Sequence, residues 1–128
     1  MDVSKTTVLA NDEFVTQIQI PSIPENAKST YLKFALRNSI DFPIVSCAAR
    51  LSTVDNQVED AGICLNAVYV KPYRALKAEK YMIGKKIGKT HAAKAAEAVV
   101  ADAQPLGDNT YMVQLAKVII KRAIMACK

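Results

Sequence analysis

No two cysteines in this 128-residue sequence fall in a C-x-x-C pair, and a single histidine, His91, is available to assist Cys47, Cys64 and Cys127. A zinc or iron–sulfur site built by this chain alone has no support in that pattern, and free thiols in a reducing compartment are expected. The sequence also lacks any apolar run approaching the roughly 18 residues of a membrane span. Its opening MDVSKTTVLANDEF has no long apolar stretch after a basic start, so no secretory leader is read and the expected location is cytoplasmic. Nor is there a dense block of one charge. The 17 lysines and arginines against 12 acids leave a net charge of +5 spread from Lys5 to Lys128, which fits a solvated basic surface better than a nucleic-acid interface. With no repeat and no low-complexity linker, the chain reads as a single domain over residues 1–128. That length can bury roughly two-thirds of the unfolded surface without a disulfide or metal staple.

What is present divides into two halves. Phe14, Ile18 and Ile20, interleaved with Thr16, Gln17 and Gln19, predict a strand stopped by PSIPEN, where Pro21 and Pro24 cannot donate ladder bonds. Residues 31–36, 44–52 and 58–70 read as three more strands, with TVDNQ as a hairpin connection between the last two. Strands over about 14–70 then give way to period-3.6 patterning over about 73–126, with helices near 74–82, 89–103 and 110–126. In the third helix Met112, Leu115, Ala116, Ile119 and Ala123 form one stripe, and Asp108 or Asn109 is its cap. The fold class is therefore α+β: an antiparallel sheet of three to four strands, packed on one face by about three helices.

The segment GKKIGKT, Gly84 to Thr90, ends like a phosphate-binding loop. It has three residues between its glycines where four are needed, and a helix rather than a strand precedes it, so a helix C-cap at Gly84 and a new helix start near Gly88 are expected instead. His91 has no partner in an evident motif and reads as a surface residue. Cys47 and Cys64 alternate with apolar residues as small buried hydrophobes do. Tyr69, Tyr73 and Tyr81 lack the spacing of a base-stacking platform and read as structural. No self-sufficient catalytic site and no metal site emerge.

The remaining feature is KFALRNSIDFPIV, residues 33–45, where Lys33, Arg37 and Asp41 stand four apart between two core-like segments. Together with VLANDEFVTQIQIP, YLKFALRNSIDFPIVSCAARL, AGICLNAVYVKPYRALKAEKYMIGK and PLGDNTYMVQLAKVIIKRAI, it resembles the C-terminal domain of the FAD-binding medium subunit of the xanthine dehydrogenase and carbon monoxide dehydrogenase family of molybdenum hydroxylases. The resemblance covers almost the whole chain. It rests on the order and spacing of these segments rather than on one motif. Asn66 stands where a glycine is usual, and asparagine also tolerates positive φ.

The resemblance implies a domain carrying the outer wall of a flavin site. Lys33 would contact the isoalloxazine ring, Arg37 and Asp41 would shape the adjoining loop, and Val15 would pack near the same ring. It implies FAD shared with a preceding FAD-binding domain, for which no segment is read in these residues. It also implies partner subunits holding the iron–sulfur clusters and the molybdenum cofactor. The expected role is passage of electrons from those clusters through FAD to an acceptor, with the isolated chain inactive. Against this stand a plain salt-bridged hairpin at residues 33–45 and a non-catalytic α+β binding or scaffold module.

Overall fold

Two residues set the central hairpin. Asp55 and Asn56 both take positive φ, 50° and 62°, the paired left-handed conformation of a two-residue turn that matches the twist of its strands. The turn joins β2 (Val45–Val54) to β3 (Gln57–Asn66), while β1 (Ala27–Phe34) pairs antiparallel on the other side of β2. A short β4 (Tyr73–Arg74) completes a sheet in the order β1-β2-β3-β4. Three helices follow, α1 (Leu76–Met82), α2 (Lys89–Val100) and α3 (Tyr111–Ala126). The structure is a computed structural model that describes residues 7–37 and 40–128. Among the described residues no helix is long and apolar enough to cross a membrane.

Alternation along the sheet fixes the helix-covered face. Val45, Cys47, Ala49 and Leu51 of β2 and Val58, Ala61, Ile63 and Leu65 of β3 are buried. They belong to one core with Met82 of α1, the alanines of α2 and the stripe of α3. Ala92, Ala95 and Ala96 are fully buried, and their small size at i, i+3 and i+4 lets α2 lie close between its neighbours. The α3 stripe is wider than expected. Ile120 and Ile124 join Ala116, Ile119 and Ala123 inside, whereas Met112 and Leu115 are only half-buried.

The expected strand over residues 14–20 does not form. No backbone hydrogen bond joins residues 14–23 to any other described residue, and Phe14, Ile18 and Ile20 are exposed. The alternation is genuine, but strand propensity measures fit to a half-buried surface, and the helices already occupy the one face this chain covers. The strand expected over 58–70 stops at Asn66, and Tyr73–Arg74, the expected start of the first helix, forms β4. Positive φ falls on Ala67 at 65°, one residue past Asn66. The helix start before α3 also differs in detail. Asn109 Oδ1 accepts a 2.6 Å bond from Leu106 N–H across a 3₁₀ turn at Gly107–Asn109, and Thr110, at the N-cap, makes no side-chain capping bond.

The edge of β3 is closed by side chain and turn. Past β4 the ladder continues with Ala75 N–H donating to Ile63 O at 2.8 Å, but the Ala75 carbonyl then accepts from Ala78 and Glu79 within α1. Ile63 N–H finds its acceptor in Glu79 Oε1 at 2.9 Å. That same oxygen accepts from Arg74 Nε at 3.0 Å. At the other end Gly84 N–H donates to Val58 O and Val58 N–H to Lys85 O. The C-cap of α1 is Ile83 rather than Gly84; Gly84 follows it at φ 72°, and the GKKIGKT amides at 84 and 85 are spent on protein carbonyls. Gly88 is the N-cap of α2 as expected.

Glu79 is 6% exposed, and truncation would strand a ladder donor. Glu79→Ala is expected to lose about 2–3 kcal/mol of stability in urea unfolding, and Glu79→Gln, which keeps an acceptor, distinctly less. A Glu79→Ala protein as stable as the parent would show that the clamp contributes nothing.

Candidate functional site

The β1–β2 connection leaves the sheet at the end where Phe34 pairs with Val45. Its closing hydrogen bond, Ile44 N–H to Phe34 O at 2.8 Å, makes residues 35–43 a loop pinched at its base. Asn38 and Ser39, within the expected charged turn, lie outside the described residues. Both flanking cations engage one residue. Lys33 Nζ donates to the Asp41 carbonyl at 2.7 Å, and Arg37 Nε donates to Asp41 Oδ2 at 3.1 Å. The Asp41 side chain is 19% exposed and that of Arg37 75%, so the aspartate is the inner post of the loop and the guanidinium lies in solvent. Lys33 retains further N–H donors beyond the one it uses here.

Of the four residues that the resemblance singles out, the structure therefore brings together Lys33, Arg37 and Asp41. Val15 stands apart, 63% exposed in the arm that precedes β1, and no described hydrogen bond ties that arm to the loop.

Two further features escaped the sequence reading. Phe42, next to Asp41, is 93% exposed, a large apolar ring held at the loop surface. Ser46 forms one cross-strand row with Lys33 and Asn66, on the sheet face opposite to Val45 and Cys47. Its Oγ is buried and, among the described residues, has no hydrogen-bond partner. The signal for the Ser46 row was the period-2 phase of β2, which puts a hydroxyl out of step with the apolar positions. Nothing in the sequence foretold the lack of a partner.

Elsewhere the ionisable groups serve the fold. His91, expected at the surface, is half-buried, with Nδ1 3.1 Å from the Tyr81 hydroxyl. Burial, reinforced by the neighbouring Cys64 and Cys127, pushes the Cys47 thiol up to about 12, and burial raises that of Cys127 as well. Neither is a nucleophile at neutral pH. An open groove of about 780 Å³ lies between the β3–β4 connection and the α2–α3 connection, lined by Leu65, Val68, Tyr73, Val99, Leu106 and Met112 among others. None of the four residues singled out lines it. Its one carboxylate, Asp102, pairs with Lys77.

The comparisons with known proteins agree with this frame. The chain belongs to the CO dehydrogenase flavoprotein C-terminal domain family, whose match covers residues 30–127. It is 30% identical to the glyceraldehyde dehydrogenase medium chain of Sulfolobus acidocaldarius over 92% of this chain and 43% of that one. It is 35% identical to the nicotine 6-hydroxylase medium subunit of Paenarthrobacter nicotinovorans over 72% of this chain and 31% of that one. The carbon monoxide dehydrogenase structure from Hydrogenophaga pseudoflava superimposes with a TM-score of 0.77 at 27% identity, covering 84% of this chain and 39% of that one. The chain thus spans less than half the length of each of these relatives. The family and α+β fold implied by the sequence resemblance are those found.

The thiol environments predict selective labelling. Iodoacetamide near pH 8 should modify Cys64, the half-buried thiol on the open sheet face, and leave Cys47 and Cys127 intact until denaturant is added. Equal labelling of all three in the native protein would contradict the burial described.

Proposed function

We propose that this chain is the domain that walls the flavin in the FAD-binding subunit of a xanthine dehydrogenase-type molybdenum hydroxylase. The loop held by Asp41, with Lys33 at its base, would lie against the ring. The carrying observation is that this loop is closed at its root by the Ile44–Phe34 hydrogen bond yet exposes a cation and an aromatic ring, Lys33 and Phe42, on a family domain named for its flavoprotein.

The fit to FAD is partial in an informative way. Four glycines in 128 residues, with no run of free amides at Gly84 to Lys85, give no cradle for a pyrophosphate. That part of the cofactor would belong to the preceding FAD-binding domain. The loop suits the ring instead. Lys33 offers spare N–H donors and a positive charge, Phe42 and Val15 offer apolar surface that excludes water, and the orphaned Ser46 hydroxyl lies in the row of Lys33. FAD, when bound, supplies a ring that takes up electrons and releases them to an acceptor. The ammonium beside that ring would favour its electron-rich form. Arg37 and Asp41 would act through position, keeping Lys33 pointed along the loop.

In this reading the molybdenum and iron–sulfur subunits are partners in the same complex, the molybdenum cofactor and clusters reside there, and the complex works in the cytoplasm, in keeping with three free thiols. The relatives carry the names of glyceraldehyde, nicotine and carbon monoxide enzymes, a spread that fits a domain remote from substrate choice. One observation favours the scaffold alternative. Lys33 and Arg37 both already bond to Asp41, as they would in a turn with no ligand.

Redox titration of the assembled flavoprotein separates the two. Replacing Lys33 by methionine keeps the apolar stem and removes the charge, worth on the order of 1–2 kcal/mol at partly screened range, so the flavin midpoint potential should fall by about 20–40 mV for the two-electron couple. Lys86→Met, at the α1–α2 junction, should leave it unchanged. Equal potentials in parent and both variants would remove Lys33 from the flavin and favour the scaffold.

A further inference from the structure

The open face of the sheet holds a polar row that the fold leaves incomplete. Lys33 of β1, Ser46 of β2 and Asn66 of β3 are direct cross-strand partners, and side chains so paired on one face stand about 5 Å apart. Lys33 and Asn66 are exposed, whereas Ser46 between them is 1% exposed. Its Oγ lies at the floor of the row and, among the described residues, has no hydrogen-bond partner. The other buried serine of this face is satisfied: Ser52 is 2% exposed, and its Oγ accepts from Arg50 Nη1 at 3.5 Å. A buried hydroxyl without a partner lowers stability. The fold alone therefore gives no reason to prefer serine at 46 over alanine, the residue two places on along the same face.

The chemistry of the row selects its ligand. The Lys33 ammonium donates, with N–H groups beyond the one held by the Asp41 carbonyl. The Asn66 amide both donates and accepts, and the Ser46 hydroxyl does either. Such a row complements a group with an N–H between two carbonyls. An isoalloxazine ring has one edge of that kind, the imide side of its pyrimidine ring, whereas its opposite end carries two methyl groups that can bond to nothing here. The row also stands at the root of the β1–β2 loop. Phe34, next to Lys33, pairs with Val45, next to Ser46, so a ring laid against that loop reaches these three residues.

We infer that Lys33, Ser46 and Asn66 take the imide edge of the flavin ring, with Ser46 Oγ donating to one of its carbonyl oxygens and the dimethylbenzene end pointing away from this sheet. This rests on the flavin-wall reading and deepens it, giving the ring an orientation and two contacts besides Lys33. The Lys33 and Asn66 side chains, exposed on either side, swing aside as the edge settles between them over the serine. By the sequence resemblance a glycine is usual at position 66, so the Asn66 contact is this chain's own addition. Few polar groups suffice to orient a ring in a site of this kind when each has a defined partner.

Two measurements on Ser46→Ala separate a hydroxyl that reads a ligand from one that serves the fold. In the chain alone the urea unfolding midpoint should stay the same or rise slightly, because the group removed has no partner. In the assembled flavoprotein the same substitution should weaken FAD retention about fivefold. It should also raise a flavin carbonyl stretching frequency in infrared difference spectra, since a carbonyl that loses a hydrogen bond stiffens. Asn66→Asp, at an exposed position, should weaken FAD and lower its midpoint potential by setting a negative charge against the carbonyl edge, while Ser29→Ala, farther along β1, should change neither. An isolated Ser46→Ala chain that is less stable, with carbonyl bands unaltered in the assembly, would make the hydroxyl structural and overturn the inference. If Lys33→Met lowers the potential while Ser46→Ala and Asn66→Asp alter neither FAD retention nor the carbonyl bands, the flavin wall stands and this orientation of the ring fails. If none of the three substitutions is felt at the flavin, both fail.

Discussion

Ile63 sits where β3 loses its ladder acceptor, because the chain turns into α1 at Ala75, whose carbonyl is taken up by the helix, and Glu79 supplies the acceptor that a longer β4 would have given. One carboxylate oxygen thereby closes a sheet edge, fixes the start of a helix and holds an arginine. A buried carboxylate is costly to desolvate unless its bonds are met. Here they are met by a backbone amide and a guanidinium, so the interaction specifies geometry as well as stability. With that edge closed at Ile63 and again at Val58, α1 cannot slide along the sheet, and α2 and α3 pack against a fixed frame. The opposite edge, β1, has no such closure among the described residues.

This asymmetry places the chemistry. The helix-covered face and the β3 edge are spent on the fold, whereas the β1–β2 loop, the open sheet face and the arm keep exposed charge, exposed aromatic surface and unpaired backbone. The residues assigned to the flavin wall all come from those three places. Their mutual bonds are short-range, Lys33 and Arg37 both reaching Asp41, and exposed pairs of this kind contribute at most about 1 kcal/mol each. The loop is pre-shaped at little energetic cost and stays free to take a ring against it.

Much of the frame was legible in the sequence. The Asp55–Asn56 turn, the three helices and their alanine and isoleucine stripes follow from local chemistry that tertiary packing did not overrule. The failures share a cause. Residues 14–20 have strand periodicity but make no backbone bond to any other described residue, and Tyr73–Arg74 became a strand because Cys64 and Leu65 offered an edge stronger than a helical start. Asn66 drew attention as a tolerant residue, yet Ala67 bears the positive φ. For the site, the family resemblance named Lys33, Arg37 and Asp41, and the structure unites them. It could not announce the unpartnered Ser46 hydroxyl, which depends on what its neighbours across the sheet leave unfilled.

The central claim is that the loop at Lys33 and the arm at Val15 meet a flavin from two sides. A structure of the assembled flavoprotein with FAD bound measures it directly. The account predicts the Lys33 side chain and Val15 in contact with the isoalloxazine ring, at about 4 Å. A bound flavin whose ring lies away from the β1–β2 loop, with Lys33 still facing solvent, would contradict it.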